Sequence, residues 1–277
     1  MLVDLHIHSQ ASDGCWYPEQ IVEKVKRAGI GLFAVADHDT VSAVSETERI
    51  ALKEGLLFIR AVEITTSLDG GIHHVLAYGI DLTDPVLLRM MERNRKKLAG
   101  VNDHAIRKLI SAGFPLDWEE YSDYRHEPSR GGWKAVNFVI DKGLCRNVKD
   151  FFERLLTGPL ALEYPSFEST TCTVEAIHRA GGKAVWAHPG NSLKQDRVEN
   201  LVEKMLDLGI DGLECYSPYH AEDQTRYFLG ICNRNGLIAT AGSDSHGGFA
   251  GRKLGEPRVS VNDLYIEPLL DYVLSPT

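Results

Sequence analysis

The sequence has no long apolar run, and no stretch approaches the roughly 18 consecutive apolar residues of a membrane helix. It also lacks a Cys-x-x-Cys pair, because its 5 cysteines are scattered singly. An odd number of separate cysteines argues against a disulfide framework and favours free thiols in the cytoplasm. The sequence has fewer basic residues than acidic ones, 30 against 39, and the net charge of -9 disfavours a surface for duplex nucleic acid. A small phosphorylated substrate remains compatible with this charge, because bound metals reverse the field locally.

Short apolar strands alternate with helical segments over both ends of the chain. The runs GLFAVADHDT and KAVWAHPG predict buried strands, and PEQIVEKVKRAG predicts a helix. Such alternation is typical of a parallel sheet or barrel with helices outside. Between residues 81 and 159 strand signals are weak and apolar residues recur at helical spacing. We therefore expect an α/β domain formed by residues 1–80 and 160–277, with a helical insertion at 81–159.

Polar side chains with metal-binding chemistry accompany the predicted strands. DLHIHSQASDG places His6 and His8 on one face of the first strand, because strand side chains alternate with period two. Similar residues occur in ADHDT (His38), AVEITT (Glu63), HHVLAYGI (His74), KAVWAHP (His188) and GSDSH (Asp244 and His246). Apart from His74, which opens its strand, these residues lie at carboxyl ends of strands, where barrels gather their chemistry.

Histidines and carboxylates without cysteine suit zinc, manganese or iron, and several such groups favour a multinuclear site. One such histidine alone is more often structural, but the clustering with carboxylates favours metal binding. Asp37 and Asp39 flank His38, and we expect them to orient it rather than to bind metal. His73 is expected to face away from His74. The remaining histidines are expected to be solvated: His104, His126, His178 and His220.

In this order, the motifs resemble those of the PHP (polymerase and histidinol phosphatase) family of metal-dependent phosphoesterases. The matching stretches are DLHIHSQASDG, ADHDT, the EI at Glu63, HVLAYG, AHPG and GSDSHG. The similarity covers the α/β portion nearly end to end, and the helical middle resembles the cap insertion of the nucleotide-hydrolysing branch. The resemblance implies a distorted (β/α)7 barrel, similar to a TIM barrel, with a helical cap insertion.

The resemblance also implies three divalent metal ions, of manganese, zinc or iron, held by nine protein ligands. These would be His6, His8, Glu63 and Asp244 for the first metal; His74 and His188, with Glu63 shared, for the second; and Asp13, His38 and His246 for the third. A hydroxide bridging two metals would be the nucleophile, with His188 or His246 assisting the leaving group.

One position departs from the pattern of the family. Relatives in this branch commonly carry an Arg-Pro-His stretch in the insertion, which contacts the phosphate. The matching positions are Arg130, Gly131 and Gly132, so the arginine is kept and the histidine is missing. Arg130 is therefore the predicted phosphate-binding residue, since its planar fork suits phosphate oxygens.

The predicted function is hydrolysis of a phosphate ester of a small nucleotide: a nucleoside monophosphate, a 3',5'-bisphosphate or the end of a short oligonucleotide. The alternative within the same chemistry is a phosphatase for a non-nucleotide metabolite such as histidinol phosphate. A non-catalytic metal-binding module is disfavoured, because none of the nine ligands is missing. A proofreading module of a DNA polymerase shares the fold, and we expect a longer chain for one. The sequence leaves the oligomeric state open.

Overall fold

The computed structural model describes residues 1–192 and 198–274. The strands are β1 (Leu2–Ile7), β2 (Ile30–Val35), β3 (Leu57–Phe58), β4 (Ala61–Leu68), β5 (Gly71–Tyr78), β6 (Lys183–Trp186), β7 (Gly212–Tyr216), β8 (Ile238–Ala241) and β9 (Val259–Ser260). The α-helices are α1 (Pro18–Arg27), α2 (Val44–Lys53), α3 (Pro85–Ser111), α4 (Trp118–Asp123), α5 (Lys134–Asp141), α6 (Val148–Asp150), α7 (Thr170–Arg179), α8 (Pro189–Ser192), α9 (Val198–Asp207), α10 (Glu222–Asn235) and α11 (Glu267–Leu274). None of these helices is both long and apolar enough to cross a lipid bilayer.

The strands form two mixed sheets, one of order β3-β2-β1-β9 and one of order β4-β5-β6-β7-β8. Neighbours are parallel from β1 to β3 and from β6 to β8, as the alternation of strands and helices predicts. The two sheets meet through isolated parallel bridges, Ile7 with Ser245 and His38 with Glu63. Within the described residues these sheets do not close into a barrel, so the architecture is a mixed α/β fold.

The prediction of a parallel sheet is wrong for three pairs of strands, since β5 pairs antiparallel with both β4 and β6, and β9 pairs antiparallel with β1. The first of these pairs, β4 and β5, forms a hairpin. Leu68 pairs with Gly71, so only Asp69 and Gly70 connect the two strands. Both residues have positive φ, of 51° and 81°, as the tight turns of hairpins require. Two residues cannot form the long crossover that parallel neighbours need, and the chain must therefore reverse here.

Strand β2 shows why the sheets lie inside the molecule. Leu32 and Ala34 join an apolar cluster between the sheets, whereas Phe33 and Val35 join a second cluster beneath α1 and α2. All four side chains are buried, which explains the unbroken apolar run in the sequence.

The segment between β5 and β6 is helical, as predicted, and contains no strand within residues 79–182. Its longest helix, α3, begins at Pro85 after Asp84, whose side chain accepts hydrogen bonds from the backbone N–H groups of Val86 and Leu87. The helices around α3 bury an apolar cluster of their own, which includes Leu109, Tyr121 and Phe138. The division into residues 1–80, 81–159 and 160–277 stays a prediction.

Candidate metal centre

The first strand delivers two fully buried imidazoles to one point. His6 lies within β1 and His8 directly follows it, and their Nε2 atoms are 3.1 Å apart. The backbone N–H of His8 donates to the carbonyl of Ser245, which holds the end of β1 beside the segment after β8. The predicted shared face of the two histidines is thus present.

Glu63 is the centre of the cluster, and its carboxylate is completely buried. Oε2 lies 3.1–3.3 Å from nitrogens of three histidines, His6, His8 and His38. Oε1 lies 3.0 Å from Nδ1 of His74 and 2.9 Å from Nε2 of His188. Each oxygen therefore faces a different set of imidazoles, which is the geometry required of a carboxylate shared by two cations.

The remaining carboxylates complete the set. Asp244 Oδ1 lies 2.9 Å from Nε2 of His8, and Asp13 Oδ1 lies 3.1 Å from Nε2 of His246. Three groups have ligand atoms within 4.8 Å of one another: His6, His8, Glu63 and Asp244; His38, Glu63 and His74; and His8, Asp13, His38 and His246. These groups contain eight of the nine predicted ligands, and His8 and His38 each belong to two groups instead of one. The ninth, His188, belongs to no group and joins the cluster through its contact with Glu63.

Hydrogen bonding also indicates that these residues fit cations. Buried polar atoms normally have partners, and an orphaned one costs about 1–3 kcal/mol. Six orphaned atoms belong to the predicted ligands: Nδ1 of His8, His38, His74 and His188, Oε2 of Glu63, and Oδ1 of Asp244. Imidazole nitrogens and carboxylate oxygens together match the donors that zinc, manganese and iron accept.

The electrostatics of the cluster favour positive charge at its centre. Burial opposes ionisation of Glu63, but the surrounding histidines outweigh it and hold its pKa well below the usual range. Burial likewise disfavours protonated His246, but the charge of Asp13 raises the pKa of His246 to about 10. By contrast, burial lowers the pKa of His38 to about 3. The carboxylates thus stay ionised while deeply buried, and they require cationic partners.

Glu214, on β7, supports the cluster and was not predicted from the sequence. It is fully buried; Oε1 lies 2.9 Å from Nδ1 of His6, and Oε2 accepts a hydrogen bond from the backbone N–H of His188. Gly242 permits this approach, because a Cβ there would lie 2.5 Å from Oε1 of Glu214. In the sequence, Glu214 could have been identified because it is a charged residue inside the otherwise apolar strand GLECY.

Asp37 and Asp39 hold the backbone around the cluster and belong to none of the three groups. Asp37 accepts hydrogen bonds from Ser9 and from the Ser12 hydroxyl, which fixes the loop that carries Asp13. Asp39 accepts from Thr65 and from Asn94 on α3. Burial raises the pKa of Asp39 to about 6. These contacts order neighbouring segments rather than touching the His38 ring, so the predicted orientation of His38 is indirect.

Four described residues other than glycine have positive φ, and two of them are predicted ligands. His188 and Asp244 have positive φ values of 28° and 48°, a region that side chains other than glycine rarely adopt. Strain of this kind persists only where the surrounding structure enforces it, and it clusters at functional sites.

Two further residues contact Asp244 and were also missed. The Tyr219 hydroxyl donates to Oδ2 of Asp244 over 2.9 Å, and Nη1 of Arg252 lies 3.2 Å from the same oxygen. Neither follows a strand pattern, because both lie in loops whose course only the fold determines. The guanidinium of Arg130, the predicted phosphate ligand, forms a two-pronged pair with Asp141 over 2.7 and 2.8 Å, and its role stays a prediction.

Among the other histidines, the prediction of a solvated side chain is wrong for His220. Its Nδ1 lies 2.9 Å from the carbonyl of Cys215, and its Nε2 accepts from the backbone N–H of Gly190. His126 is half-buried, whereas His104 and His178 are exposed. His73 belongs to none of the three ligand groups, and its ring centroid lies 6.0 Å from that of Trp186.

A cavity of about 300 Å³ opens beside the cluster. His38, His74 and His188 line one side of it, and Trp133, Tyr164 and Phe167 are among its remaining lining residues. A second cavity of about 390 Å³ lies on the other side of Trp133 and is lined by polar groups that include His126 and Lys134. The metal-binding groups thus face a space with an aromatic lining.

No family model matches the chain. The 3',5'-nucleoside bisphosphate phosphatase of Chromobacterium violaceum is 29% identical over 262 residues, covering 91% of this chain and 90% of the relative. The 5'-3' exoribonuclease Rnm of Escherichia coli is 26% identical over 252 residues, covering 89% and 85%. A solved structure from Bifidobacterium adolescentis, described as a metal-dependent phosphoesterase, aligns with a TM-score of 0.85 at 26% identity, covering 99% and 96%. The chain thus resembles metal-dependent phosphoesterases in sequence and in fold.

These similarities extend over nearly the whole of each protein, including the helical segment between β5 and β6. The family resemblance predicted from the ordered motifs is therefore confirmed. In this chain the nine predicted ligands meet around Glu63, although they are distributed from His6 to His246.

Proposed function

We propose that the protein hydrolyses a phosphate ester of a small nucleotide: a nucleoside monophosphate, a 3',5'-bisphosphate or the end of a short oligonucleotide. The cavity beside the cluster carries this proposal, because its two kinds of wall match the two ends of a nucleotide. His38, His74 and His188 lie where a phosphate would meet cations. Trp133, Tyr164 and Phe167 offer faces on which a base can stack, at about 1–3 kcal/mol per base. The named activities of the two curated relatives support the same substrate class.

The nine predicted ligands would hold three divalent ions of manganese, zinc or iron. Such ions supply a nucleophile at neutral pH and neutralise charge on the phosphoryl oxygens. Glu63 would bridge two of them through its separate oxygens, and Glu214 would orient His6.

His188 is better placed than His246 to give a proton to the leaving oxygen. It lines the cavity, and its Nδ1 has no hydrogen-bond partner. His246 is engaged on both nitrogens, by Asp13 and by the carbonyl of Asp244.

The alternative phosphatase for an amine such as histidinol phosphate is less well supported. An ammonium group needs a carboxylate or a comparable acceptor when it leaves water. The described residues that line the cavity include no aspartate or glutamate. Single strands are favoured over duplex, because a base must leave its stack to reach the aromatic side chains.

We also propose that the two sheets are the halves of a distorted, open (β/α)7 barrel, with residues 81–159 as its cap. The isolated bridges between the sheets, at the carboxyl ends of β1 and β2, support this arrangement. The five free thiols support a cytoplasmic location.

The test is release of phosphate or nucleotide by the purified protein after loading with Mn²⁺, Zn²⁺ or Fe²⁺ in turn. The panel contains adenosine 3',5'-bisphosphate, AMP, a 5'-phosphorylated pentaribonucleotide as single strand and as duplex, histidinol phosphate and ribose 5-phosphate. We expect turnover of single-stranded nucleotide substrates to exceed that of the last two compounds by at least about tenfold in kcat/KM. Preferred turnover of histidinol phosphate or ribose 5-phosphate would overturn the substrate assignment, and no turnover of any compound would overturn the phosphoesterase function.

A further inference from the structure

Arg252 is the arginine that lies against the predicted metal ligands. Its Nε donates to the carbonyl of Asp244 over 2.7 Å, and Nη1 lies 3.2 Å from Oδ2 of the same residue. Nη2 lies 2.9 Å from Nδ1 of His246. The guanidinium therefore faces the cluster from its side and contacts two of the nine ligands.

The contact with His246 leaves one donor of Arg252 without an acceptor. Nδ1 of His246 lies 2.9 Å from the carbonyl of Asp244, and Nε2 lies 3.1 Å from Oδ1 of Asp13, so both ring nitrogens face oxygen acceptors. Two donors cannot share one hydrogen bond, so the contact with Nδ1 does not satisfy Nη2 of Arg252, which can bind another oxygen.

The surroundings of Arg252 allow a ligand to reach it. Its side chain is 20% exposed, whereas that of Asp244 is 6% exposed. The guanidinium lies over the ring of Tyr219, 5.2 Å from the centroid, and Tyr219 in turn contacts the ring of His188. Because His188 lines the aromatic cavity, Arg252 lies on the edge of the same site.

Arg130, the arginine predicted from the sequence to bind phosphate, has different contacts. Both of its terminal nitrogens are paired with Asp141, and one also contacts the hydroxyl of Tyr124. Releasing it would break a two-pronged ion pair, and none of its described side-chain contacts is to a predicted metal ligand.

We propose that Arg252 is the arginine that binds the phosphoryl group of the substrate once the cluster holds its cations. This rests on the proposed phosphoesterase function. The planar guanidinium presents paired N–H groups to phosphate oxygens, and its Nη2 donor finds no acceptor in its contact with His246.

The test measures binding of inorganic phosphate to the Mn²⁺-loaded full chain by isothermal titration calorimetry, with metal content by elemental analysis. We expect Arg252→Met to weaken phosphate binding by about 10- to 100-fold at unchanged metal content. Arg252→Lys keeps the charge beside Asp244 but not the fork, and we expect it to retain metal and bind phosphate about tenfold more weakly. Arg226→Met, on the exposed face of α10, is the matched control and should bind phosphate as the wild type does.

Phosphate affinity of both Arg252 variants within about twofold of the wild type would overturn the proposal. A fall in metal content that accounts for the lost affinity would also overturn it, because Arg252 would then only hold the ligands. Loss of affinity in Arg130→Met alone would assign the role to Arg130. If the wild-type protein hydrolyses nucleotides while Arg252 variants bind phosphate normally, only this proposal fails; absence of hydrolysis by the wild type is a failure of the proposed function.

Discussion

Glu63 offers the most direct perturbation of the cluster. Its carboxylate lies 2.9–3.3 Å from nitrogens of five histidines, and it belongs to two of the three groups of ligand atoms. Glu63→Gln keeps the size and shape of the side chain but removes its charge and one acceptor oxygen. The substitution therefore separates the charge of the residue from its packing.

The expected magnitude follows from these contacts. Replacing a residue that only supports a metal ligand already costs about 10- to 100-fold in metal affinity. Since Glu63 faces two groups directly, we expect affinity to fall by more than about 100-fold, with loss of at least one ion per chain. Metal assistance is worth several kcal/mol; about 4 kcal/mol at 1.36 kcal/mol per tenfold corresponds to a loss of roughly 10³ in kcat.

The assay combines elemental analysis after dialysis with hydrolysis of adenosine 3',5'-bisphosphate. Glu54→Gln, at an exposed residue paired with Lys26, is the matched control and should leave both quantities unchanged. Wild-type metal content together with wild-type kcat in Glu63→Gln would refute the conclusion that this carboxylate is shared by two cations.

Further predictions address the metals, the link to α3 and the aromatic lining. Removing metal with a chelator is expected to abolish hydrolysis and to lower Tm, because ions at about 100 times their Kd stabilise the folded state by about 2.7 kcal/mol; full activity of the metal-free protein would contradict this. Asn94→Ala should reduce the free energy of unfolding, measured in urea, by about 1–3 kcal/mol, because the buried Asn94 amide donates to Asp39 and to the carbonyl of Thr65. The control, Asn233→Ala at an exposed site, should change this free energy by less than about 0.5 kcal/mol. If the two variants unfold at the same urea concentration, the hydrogen bonds of Asn94 do not couple α3 to β4. Trp133→Leu should raise KM for AMP by about 5- to 100-fold and leave KM for ribose 5-phosphate nearly unchanged; a rise for both compounds would exclude base stacking at Trp133.

The sequence by itself determined the ligand chemistry and the elements that carry it. His6 and His8 share a face because a strand alternates with period two, and this local rule needs no knowledge of the fold. The ends of β2, β6 and β8 could also be identified, because these apolar runs stop shortly before His38, His188 and Asp244. Glu63, by contrast, was predicted at the end of a strand and lies near the start of β4. The helical nature of residues 81–159 also follows from spacing alone.

Only the tertiary structure decided what surrounds those ligands. Glu214, Tyr219 and Arg252 reach the cluster from a strand interior and from loops, and Arg130 forms an ion pair with Asp141. The antiparallel hairpin of β4 and β5 likewise depends on the two-residue turn at Asp69 and Gly70. The physical reason is that strand and helix periodicity are properties of neighbouring residues, whereas a loop side chain is oriented by contacts with residues distant in sequence.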